Sequence, residues 1–461
     1  AVLPRPPAMT AAGEPARPMI AGVVPVYNAP DDAERCVARV LAHTRGDYRL
    51  VLIDDASPDP RVRELFARLG ARGLPQLELL ANETNLGFTG TANRGLRLSD
   101  RDVVLLNSDT EVTAGWLDAL ARCAASSPHV GTITPWSNNA EICSYPRFCA
   151  DNPWPGGADP EPVRAALAAA AVPSYPLLPT GVGFCFYVKR ALIDAIGVFD
   201  PAFGRGYGEE NDFCLRAHRA GYWNVLCDDA FVLHLGGRSF AGEKALLSPP
   251  NTAVLLARHP AYAAIVGDYV ARDPLRPLRE AAQAQERARD GRPGILHILH
   301  HHGGGTEHHA RALVDVSRAG WRHCIALAVG DHWQVEEHLD DGTLRAYEFA
   351  RRDDEGWIAF VGGIAATFGL GVIHVHQVAM CRDPLLATLP ALGLPYGLTV
   401  HDLNFACATT TMLGADGFWC GARGDVGACE ACAGGENPWE WRERHRALVA
   451  RAAFVIAPSR W

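Results

Sequence analysis

Residues 102–120 read DVVLLNSDTEVTAGWLDAL, and this stretch decides the fold. Its four apolar residues, Val103–Leu106, predict a buried strand that ends at the polar triplet Asn107-Ser108-Asp109. After this triplet, the apolar residues from Trp116 onward have the spacing of a helix. A carboxylate directly after a buried strand has two interpretations, which are a tight turn and a metal site at the carboxyl end of a sheet.

Strands and helices alternate on both sides of this stretch. MIAGVVPVYN, RLVLIDD and QLELLAN predict strands before it, and VGFCFYVKR, YWNVLCDD and AFVLHL predict strands after it. Helical patterns separate them at residues 30–43, 59–69 and 209–220 and in GTANRGLRL. This alternation predicts an α/β fold with a parallel sheet covered on both faces, whose ligands bind outside the carboxyl ends of the strands.

The length of 461 residues exceeds one ordinary core. We predict a Pro- and Ala-rich linker over residues 1–18, an α/β domain over 19–249, a helical connection over 250–292 and a second α/β domain over 293–461. The chain does not begin with Met, and its second pattern stops just after a strand. We therefore expect a fragment whose second domain is truncated.

The composition is that of a globular protein. Apolar residues make up 48% and charged residues 21% of the chain. The formal net charge is −9, whereas nucleic-acid-binding proteins usually have an excess of basic residues. No apolar run approaches the roughly 18 residues of a membrane span, and there is no signal-peptide pattern. The thirteen cysteines are then expected to be mostly reduced core residues. These features predict a cytoplasmic location and no nucleic-acid partner.

Polar side chains collect at the predicted strand ends of the first domain. Taken singly, each has a structural interpretation: Asp54 and Asp55 as a turn and helix cap, His234 as a hydrogen-bonded histidine, and Glu209 with Glu210 as acids that favour a helix N-terminus. The complete set is Tyr27, Asn28, Asp54, Asp55, Asn107, Ser108, Asp109 and His234, followed by Glu209, Glu210 and Asp212 at a helix start.

The combination indicates chemistry on a phosphorylated substrate. Asp109 and His234 offer oxygen and nitrogen ligands for Mn²⁺ or Mg²⁺, with phosphate oxygens in the remaining positions. Such an ion neutralises a departing diphosphate, and a further carboxylate can take a proton from an attacking hydroxyl. Tyr27 can stack on a base whose N–H Asp55 accepts.

The ordered motifs VVPVYN, LIDDASPD, NLGFTGTANRGL, LLNSDT, AFGRGYGEENDFCLRAHRAGY and VLHLGG resemble family 2 glycosyltransferases with the GT-A fold. They are similar to bacterial polysaccharide enzymes often labelled rhamnosyltransferases, over about residues 19–240. The resemblance implies inverting transfer from a UDP-sugar or dTDP-sugar to a glycan or lipid-linked acceptor in surface polysaccharide synthesis. It also implies peripheral contact with the inner face of the membrane.

The resemblance implies individual roles in the donor site. Asp109 and His234 match metal ligands, whereas Asn107 departs from the Asp-x-Asp pattern of many members. Tyr27 and Asp55 match positions that hold the base. The full set implied for the nucleotide sugar is Pro25, Tyr27, Asn28, Asp54, Asp55, Asn85, Gly87, Asn107 and Asp109.

The catalytic base implied by the resemblance is Glu210, at the second acid of the family's Glu-Asp pair. Because this position holds Glu rather than Asp, Glu209 and Asp212 remain rivals. The departures at Asn107 and Glu210 keep open a catalytically degenerate carbohydrate-binding or scaffolding protein.

Two other enzyme classes fit the first domain less well. A glycosidase needs two carboxylates that flank a bond and no nucleotide site. A sugar nucleotidyltransferase needs a Gly-rich loop after the first strand, where this chain has YNAPDD. Trp116 and Trp136 could stack on sugars, although the helical spacing of Trp116 with Leu117 and Leu120 equally indicates core packing.

The second domain opens with HHHGGGTEHH. Its six histidines between His297 and His309 indicate either a metal site or residues that line a pocket. A dinucleotide fingerprint fails because His308 occupies the third glycine position. The glycines still allow close backbone approach to a ligand at a helix N-terminus.

The motifs HHHGGGTEHHARAL, VIHVHQ, YGLTVHDL and AAFVIAPSRW resemble the amino-terminal half of a family 4 glycosyltransferase, a Rossmann-like half of the GT-B fold. The resemblance covers about residues 292–461. It implies a cleft formed by Gly303, Gly304, Gly305 and His401, and no catalysis by this unit alone. A strand-end cap formed by His401 and Asp402 is the structural alternative.

Four cysteines, Cys407, Cys420, Cys429 and Cys432, lie in a loop-rich stretch. Their number is that of a structural Zn²⁺ site, but their spacing is not that of a standard zinc ribbon. Free thiols and disulfides remain alternatives.

Overall fold

The computed structural model describes residues 20–236, 241–340, 342, 344–376, 389–401, 420 and 438–457. The chain divides into two compact units, Ala1–Glu286 and Arg287–Trp461. In the described ranges, no helix combines the length and hydropathy that a membrane span requires. The domain limits predicted from the sequence stay predictions.

The first unit is a mixed α/β fold, as the sequence pattern predicts. Its strands are β1 (Ile20–Val26), β2 (Tyr48–Asp54), β3 (Leu77–Ala81), β4 (Val103–Leu106), β5 (Thr110–Val112), β6 (Val130–Trp136), β7 (Leu177–Leu178), β8 (Cys185–Val188) and β9 (Trp223–His234). Its helices are α1 (Pro30–His43), α2 (Pro60–Ala71), α3 (Gly87–Leu98), α4 (Trp116–Ala125), α5 (Glu161–Ala170), α6 (Arg190–Ile196), α7 (Glu209–Arg219), α8 (Ala241–Arg258), α9 (Tyr262–Arg272) and α10 (Arg276–Asp290).

The sheet of this unit has the strand order β3-β2-β1-β4-β8-β6-β9-β5, with β7 paired to β9. The first four strands are parallel, whereas β8 runs antiparallel to both β4 and β6. The parallel sheet predicted from the sequence is therefore only part of a mixed one. Because β8 is antiparallel, it starts beside the carboxyl end of β4, where Asn107 donates its backbone N–H to the Phe184 carbonyl at 2.8 Å.

Strand β4 supplies side chains to both faces of the sheet. Val104 and Leu106 pack in the core with α1 and α4, and Val103 and Leu105 pack in the core with α3 and α7. All four residues are buried, as expected for a strand covered on both faces. On one face, a Cβ added to Gly95 would lie 2.3 Å from Val23 Cγ1, so the glycine lets α3 approach β1.

One strand differs from its prediction. YWNVLCDD and AFVLHL form the single twelve-residue strand β9 rather than two strands. The acidic pair in its middle has partners, because Asp228 accepts hydrogen bonds from Ser174 and Asp229 accepts one from Arg122 at 2.8 Å. The strand continues through this pair, but its register with β6 shifts between Cys227 and Phe231.

The second unit has a seven-stranded sheet in the order β13-β12-β11-β10-β14-β15-β16. Strands β11 to β13 form antiparallel pairs, and the other neighbours are parallel. The strands are β10 (Gly294–His300), β11 (Arg322–Val329), β12 (His332–His338), β13 (Leu344–Ala350), β14 (Val372–Val375), β15 (Tyr396–Thr399) and β16 (Phe454–Ile456). The helices are α11 (Gly305–Ser317), α12 (Trp357–Phe368) and α13 (Pro438–Arg451).

The sequence pattern did not predict the hairpin of β12 and β13. Its acidic residues obscure the alternation, but they have partners: Glu336 pairs with Arg311 at 2.9 Å and Glu337 accepts from Tyr347 at 3.0 Å. The apolar runs in GILHILH, HCIALAVG, GVIHVHQV, YGLTVHD and AAFVIAPS predict five strands, and these correspond to β10, β11, β14, β15 and β16.

Candidate functional site

Asp109 and His234 lie together at the end of β4. Thr110 in β5 is the register partner of His234 in antiparallel β9, which places the two side chains on neighbouring strand ends. His234 Nε2 lies 3.5 Å from Asp109 Oδ1, and Asp109 is only 7% exposed. A carboxylate oxygen and an imidazole nitrogen at this separation are a suitable donor pair for a divalent ion.

The orientation of the His234 ring is fixed from its other side. Its Nδ1–H donates to the Asn139 carbonyl at 2.7 Å, so a neutral ring has its lone pair on Nε2, toward Asp109. The backbone N–H of His234 donates to Asn138 Oδ1 at 2.8 Å, and the ring stacks on Phe184 with centroids 5.3 Å apart. These supporting residues were not predicted from the sequence.

Burial disfavours the charged form of His234, but the hydrogen bond and the negative charge of Asp109 outweigh it and raise the pKa of the ring. The site thus favours positive charge next to Asp109. A bound divalent ion would supply that charge without protonation of the ring.

Asn107 is tied into the turn through its backbone. Its carbonyl accepts from Thr110 Oγ1 at 2.7 Å and from Cys36 Sγ at 3.6 Å. The turn interpretation of the triplet is therefore correct for Asn107, and it coexists with the placement of Asp109 beside His234.

Asp55 is buried directly after β2. Its Oδ1 accepts from Asn82 Nδ2 and from the Leu86 backbone N–H, each at 2.7 Å. Asp54 has a different role, because its Oδ1 accepts from Ser57 N at 2.9 Å and forms the turn predicted as one alternative. The helix cap in this segment is Asp59, which accepts from Arg61 N at 2.9 Å.

The predicted donor-site residues of β1 and of the loop before α3 converge on this segment. Asn28, with φ 57°, donates its backbone N–H to Ser57 Oγ at 3.0 Å, next to the half-buried Tyr27 and Pro25. Asn85 Oδ1 accepts from Gly87 N at 3.1 Å.

The loop before α3 packs closely against Arg205, and only a glycine fits at position 87. Its φ is +70°, and an added Cβ would lie 2.7 Å from Arg205 Cα. The backbone N–H of Phe88 donates to the Arg205 carbonyl at 3.1 Å. The loop before α3 is therefore fixed between Asp55 and the segment that leads into α7.

Glu209 and Glu210 form the first turn of α7. Glu209 is 4% exposed, and burial together with the charge of Glu210 raises its pKa well above the usual range. Glu210 is half-buried, and burial, aided by the charge of Glu141, raises its pKa to about 7. A Cβ built on Gly183 would lie 4.0 Å from Glu210 Cγ, which places this carboxyl beside the segment that ends at Phe184.

Asp212 faces away from this segment into an ion-pair network. It is 1% exposed and lies 2.7 Å from Arg216 Nε and 2.8 Å from His259 Nε2. Arg258 lies 3.7 Å away. Because its carboxylate is held by these partners, we interpret Asp212 as a structural residue rather than as the catalytic base.

Neither tryptophan considered for sugar stacking is available to a ligand. Trp116 is 3% exposed and donates to Thr44 Oγ1 at 2.9 Å. Trp136 is fully buried and donates to the Asp228 carbonyl at 3.2 Å. The core-packing alternative is correct for Trp116, and sugar stacking is wrong for both residues.

In the second unit, the glycine loop and His401 lie at the same edge of the sheet. Gly303 and Gly304 have φ of +70° and +85° and connect β10 to α11, which begins at Gly305. His401 follows β15, two strands away from β10. The cleft implied by the resemblance stays a prediction, and Asp402 lies outside the described residues.

The six histidines between His297 and His309 do not converge on one point. Within the described residues, the groups compact enough for a metal ion are His297 with His374 and His376, and His309 with His376 and His401. His300, His301 and His302 cluster among themselves. The sequence pattern therefore identified only two of the five histidines involved.

A hydrogen-bonded chain fixes the tautomers of the buried rings. Ser317 donates its hydroxyl hydrogen to the Leu313 carbonyl, so it accepts from His323 Nε2 at 3.1 Å. His323 Nδ1 then accepts from His297 Nε2 at 3.0 Å, and His297 Nδ1 accepts from His376 Nε2 at 2.9 Å. Burial lowers the pKa of His323 to about 4 and that of His376 to about 2, so the rings are neutral and His376 Nδ1 has a lone pair.

Every cysteine among the described residues is a free thiol, which agrees with the expectation of reduced cysteines. Cys420 is one of them. The other members of its predicted zinc set, Cys407, Cys429 and Cys432, lie outside the described residues, and the zinc site stays a prediction.

Residues 23–141 match the family described as "Glycosyl transferase family 2". The matched segment contains the polar ends of β1, β2 and β4. The first unit carries a glycosyl transferase family 2 domain. The family 2 resemblance is thereby confirmed for this segment, and the chain is a glycosyltransferase. The family 4 resemblance of the second unit stays a prediction.

Relatives extend the similarity beyond that segment. The chain is 24% identical over 253 residues to the N-acetylglucosaminyl-diphospho-decaprenol L-rhamnosyltransferase of Mycobacterium tuberculosis (strain ATCC 25618 / H37Rv), covering 48% of this chain and 78% of that protein. It is 29% identical over 224 residues to uncharacterized protein Mb1552 of Mycobacterium bovis, covering 47% and 74%.

A solved structure of GalNAc-T7 with UDP, GalNAc and Mn²⁺ aligns at a TM-score of 0.42 and 16% identity. The alignment covers 53% of this chain, which spans about half of that structure (48%).

Proposed function

We propose that the first unit transfers a sugar with inversion from a nucleoside diphosphate sugar to a glycan or lipid-linked acceptor. In this proposal Asp109 and His234 hold Mn²⁺ or Mg²⁺, and Glu210 is the catalytic base. The observation that carries it is the approach of His234 Nε2 to Asp109 Oδ1 at 3.5 Å, with the opposite ring nitrogen bonded to the Asn139 carbonyl.

The donor set fits a divalent ion of this class. One carboxylate and one imidazole leave several coordination positions for diphosphate oxygens, and the imidazole favours Mn²⁺ over Mg²⁺. When bound, such an ion neutralises the charge that develops on the leaving diphosphate. The chain's own contribution is to orient His234 before the donor arrives, through Asn138, Asn139 and Phe184.

Glu210 fits the part of general base better than its rivals. Asp212 is occupied by Arg216 and His259, and Glu209 is only 4% exposed, with a pKa raised well above the usual range. Glu210, with a pKa of about 7, can be ionised near neutral pH and still accept a proton. The acceptor oxygen attacks the anomeric carbon while its proton passes to Glu210, and the diphosphate leaves with the electron pair of the broken C–O bond.

Asp55 and Tyr27 are the proposed base-binding residues. The bonds from Asn82 and Leu86 hold the Asp55 carboxylate at the carboxyl end of β2, where a parallel sheet binds its ligands. UDP-sugars and dTDP-sugars are the proposed donors. The mycobacterial rhamnosyltransferase, named for a diphospho-decaprenol acceptor, supports a lipid-linked acceptor. Cell-envelope polysaccharide synthesis at the inner face of the membrane is part of the same proposal.

The second unit is proposed to be the amino-terminal, Rossmann-like half of a GT-B enzyme. The support is the shared edge of the Gly303–Gly305 loop and His401, together with the parallel neighbours β10, β14, β15 and β16. A donor that protects residues 300–310 from hydrogen exchange would support this assignment, and protection of the first unit alone would oppose it.

The first experiment is a thermal-shift screen of UDP- and dTDP-sugars with and without Mn²⁺, because a ligand of the folded state raises the unfolding midpoint. A metal-dependent shift with one nucleotide would identify the donor class. Turnover is then measured for Asp109→Ala and Glu210→Gln, with Asp100→Ala as the control at a carboxylate that is 89% exposed.

Loss of turnover in Asp109→Ala and Glu210→Gln, with retention in the control, is the expected result. Metal-dependent donor binding without turnover in the wild-type chain would favour the degenerate carbohydrate-binding or scaffolding alternative. Unchanged turnover in both site variants would refute the assignment of the site.

A further inference from the structure

We infer that the second unit contains a binding site for a divalent transition-metal ion, formed by the imidazoles of His309, His376 and His401. The site is distinct from the one proposed at Asp109 and His234, and it does not depend on the cysteine set near Cys420. It would take an ion of the Zn²⁺ type, with one coordination position left for water or an anionic ligand.

The three rings come from separate elements that meet at one edge of the sheet. His309 lies in α11, His376 follows β14 and His401 follows β15. One nitrogen from each ring lies within 4.8 Å of the other two. The carboxyl edge of a parallel sheet is where ligands of α/β units bind.

The spacing of His376 and His401 suits tetrahedral coordination. His376 Nδ1 lies 3.5 Å from His401 Nε2. With Zn–N bonds of about 2.0–2.1 Å, tetrahedral geometry separates two ligand nitrogens by roughly 3.4 Å. This pair therefore needs almost no adjustment. The half-buried His309 offers a third ring nitrogen within 4.8 Å of both and completes the site.

The hydrogen bonds of the buried rings leave His376 Nδ1 with the lone pair that a metal ligand needs. The chain from Ser317 through His323 and His297 ends with His376 Nε2–H as a donor, which leaves Nδ1 unprotonated and directed toward His401. A ligand histidine whose other nitrogen donates to a fixed acceptor is the usual supporting arrangement in metal sites.

His309 provides the second, independent observation. Its Nε2 is buried and has no hydrogen-bond partner, although its ring lies 5.0 Å from that of His401 and 5.6 Å from that of His376. Buried polar atoms almost always have a partner, so an orphaned ring nitrogen beside two other imidazoles indicates a missing one. A metal ion would satisfy it.

The alternative group, His297 with His374 and His376, is less suited to an ion. Both nitrogens of His297 are used within the hydrogen-bonded chain, and His374 Nε2 pairs with Thr399 Oγ1 at 2.7 Å. Binding there would break these bonds. The group of His309, His376 and His401 leaves them intact.

The test measures how many metal ions bind per molecule of the full chain. All samples have Asp109→Ala, so that the first unit's proposed site does not contribute, and they are stripped with a chelator and titrated with Zn²⁺ or Co²⁺. Bound Zn²⁺ is measured by mass spectrometry of the eluted metal, and Co²⁺ by its visible absorption. His309→Ala and His401→Ala are compared with His308→Ala, the exposed neighbour of His309 in α11.

The expected result is a loss of one bound equivalent in His309→Ala and His401→Ala, with no loss in His308→Ala. The Co²⁺ that the parent binds and these two variants do not should give the visible absorption bands of tetrahedral coordination. It should give no thiolate-to-metal charge-transfer band, which a cysteine site would show. Circular dichroism of the stripped proteins checks that each variant is folded. Equal metal content in all three variants, or no tight binding by the parent, would overturn the inference and leave a hydrogen-bonded histidine cluster.

Discussion

Asn138 and His234 are 96 positions apart in the chain, yet the backbone N–H of His234 donates to Asn138 Oδ1 at 2.8 Å. Asn138 is itself fixed, because its Nδ2 donates to the Asn152 carbonyl at 3.1 Å. The last residue of β9 is thereby held by a buried amide. The position of the proposed metal ligand therefore depends on Asn138, which is not itself a proposed ligand.

Asn138→Ala should therefore weaken Mn²⁺ binding by about 10–100-fold, the usual effect of losing a supporting residue of a metal site. The measurement is a calorimetric or electron paramagnetic resonance titration with Mn²⁺. Asn139→Ala is the matched control, since its contact with His234 is made by the backbone carbonyl. Equal affinity in Asn138→Ala and the wild-type chain would show that the ring is held by other contacts.

The pH dependence of transfer should report Glu210. A general base acts when deprotonated, and burial raises its pKa to about 7, so kcat/KM should fall as pH decreases through about 7 and level off above it. Glu141 contributes to the raised pKa through its charge, so Glu141→Gln should move this limb to lower pH. A limb near pH 4.5, or one that Glu141→Gln does not move, would contradict the assignment.

Asp212 should behave as a structural residue. Asp212→Asn leaves Arg216 and His259 without their buried carboxylate and is expected to lower the free energy of unfolding by about 3–5 kcal/mol. Urea unfolding measures the change. Asp194→Asn, at an exposed pair with Arg190, is the control and should cost less than about 1 kcal/mol. A stable Asp212→Asn protein without turnover would instead make Asp212 the base.

The loop before α3 should be sensitive to a single methyl group. Gly87→Ala places Cβ 2.7 Å from Arg205 Cα at a φ of +70°, whereas Gly115→Ala has nearly the same φ, +72°, and open space. Gly115→Ala, the control, should lower the free energy of unfolding by roughly 1–2 kcal/mol because its backbone is left-handed. Gly87→Ala should lower the free energy of unfolding further and should also weaken donor binding. Equal losses of stability, measured by urea unfolding, would mean that the loop moves aside without effect.

Much of the first unit could be predicted from the sequence because its signals are local. The apolar run of β4 and the triplet after it identify a covered strand and its ligand-binding end. Asp109 and His234 were predicted as a pair, and the structure brings them within 3.5 Å. Their role as metal ligands is a proposal that the titration of Asn138→Ala will examine.

What the sequence could not provide are contacts between distant segments. Asn138 and Asn139 carry no pattern that links them to His234, and only the pairing of β5 with β9 brings them together. The choice of Glu210 over Asp212 depends on the position of His259, 47 residues away from Asp212. The histidine chain of the second unit likewise joins three strands whose spacing in sequence is irregular.

Residues 220–222 join the helix α7 to the strand β9, and the pairing of β9 with β6 shifts register between Cys227 and Phe231. Glu210 lies in the first turn of this helix, and His234 ends this strand. The proposed base and the proposed metal ligand are therefore supplied by two consecutive elements of the chain. We expect insertions or deletions in residues 220–222 to change the distance between the base and the metal ligand, so the length of this short connection is constrained by the chemistry proposed at its two ends.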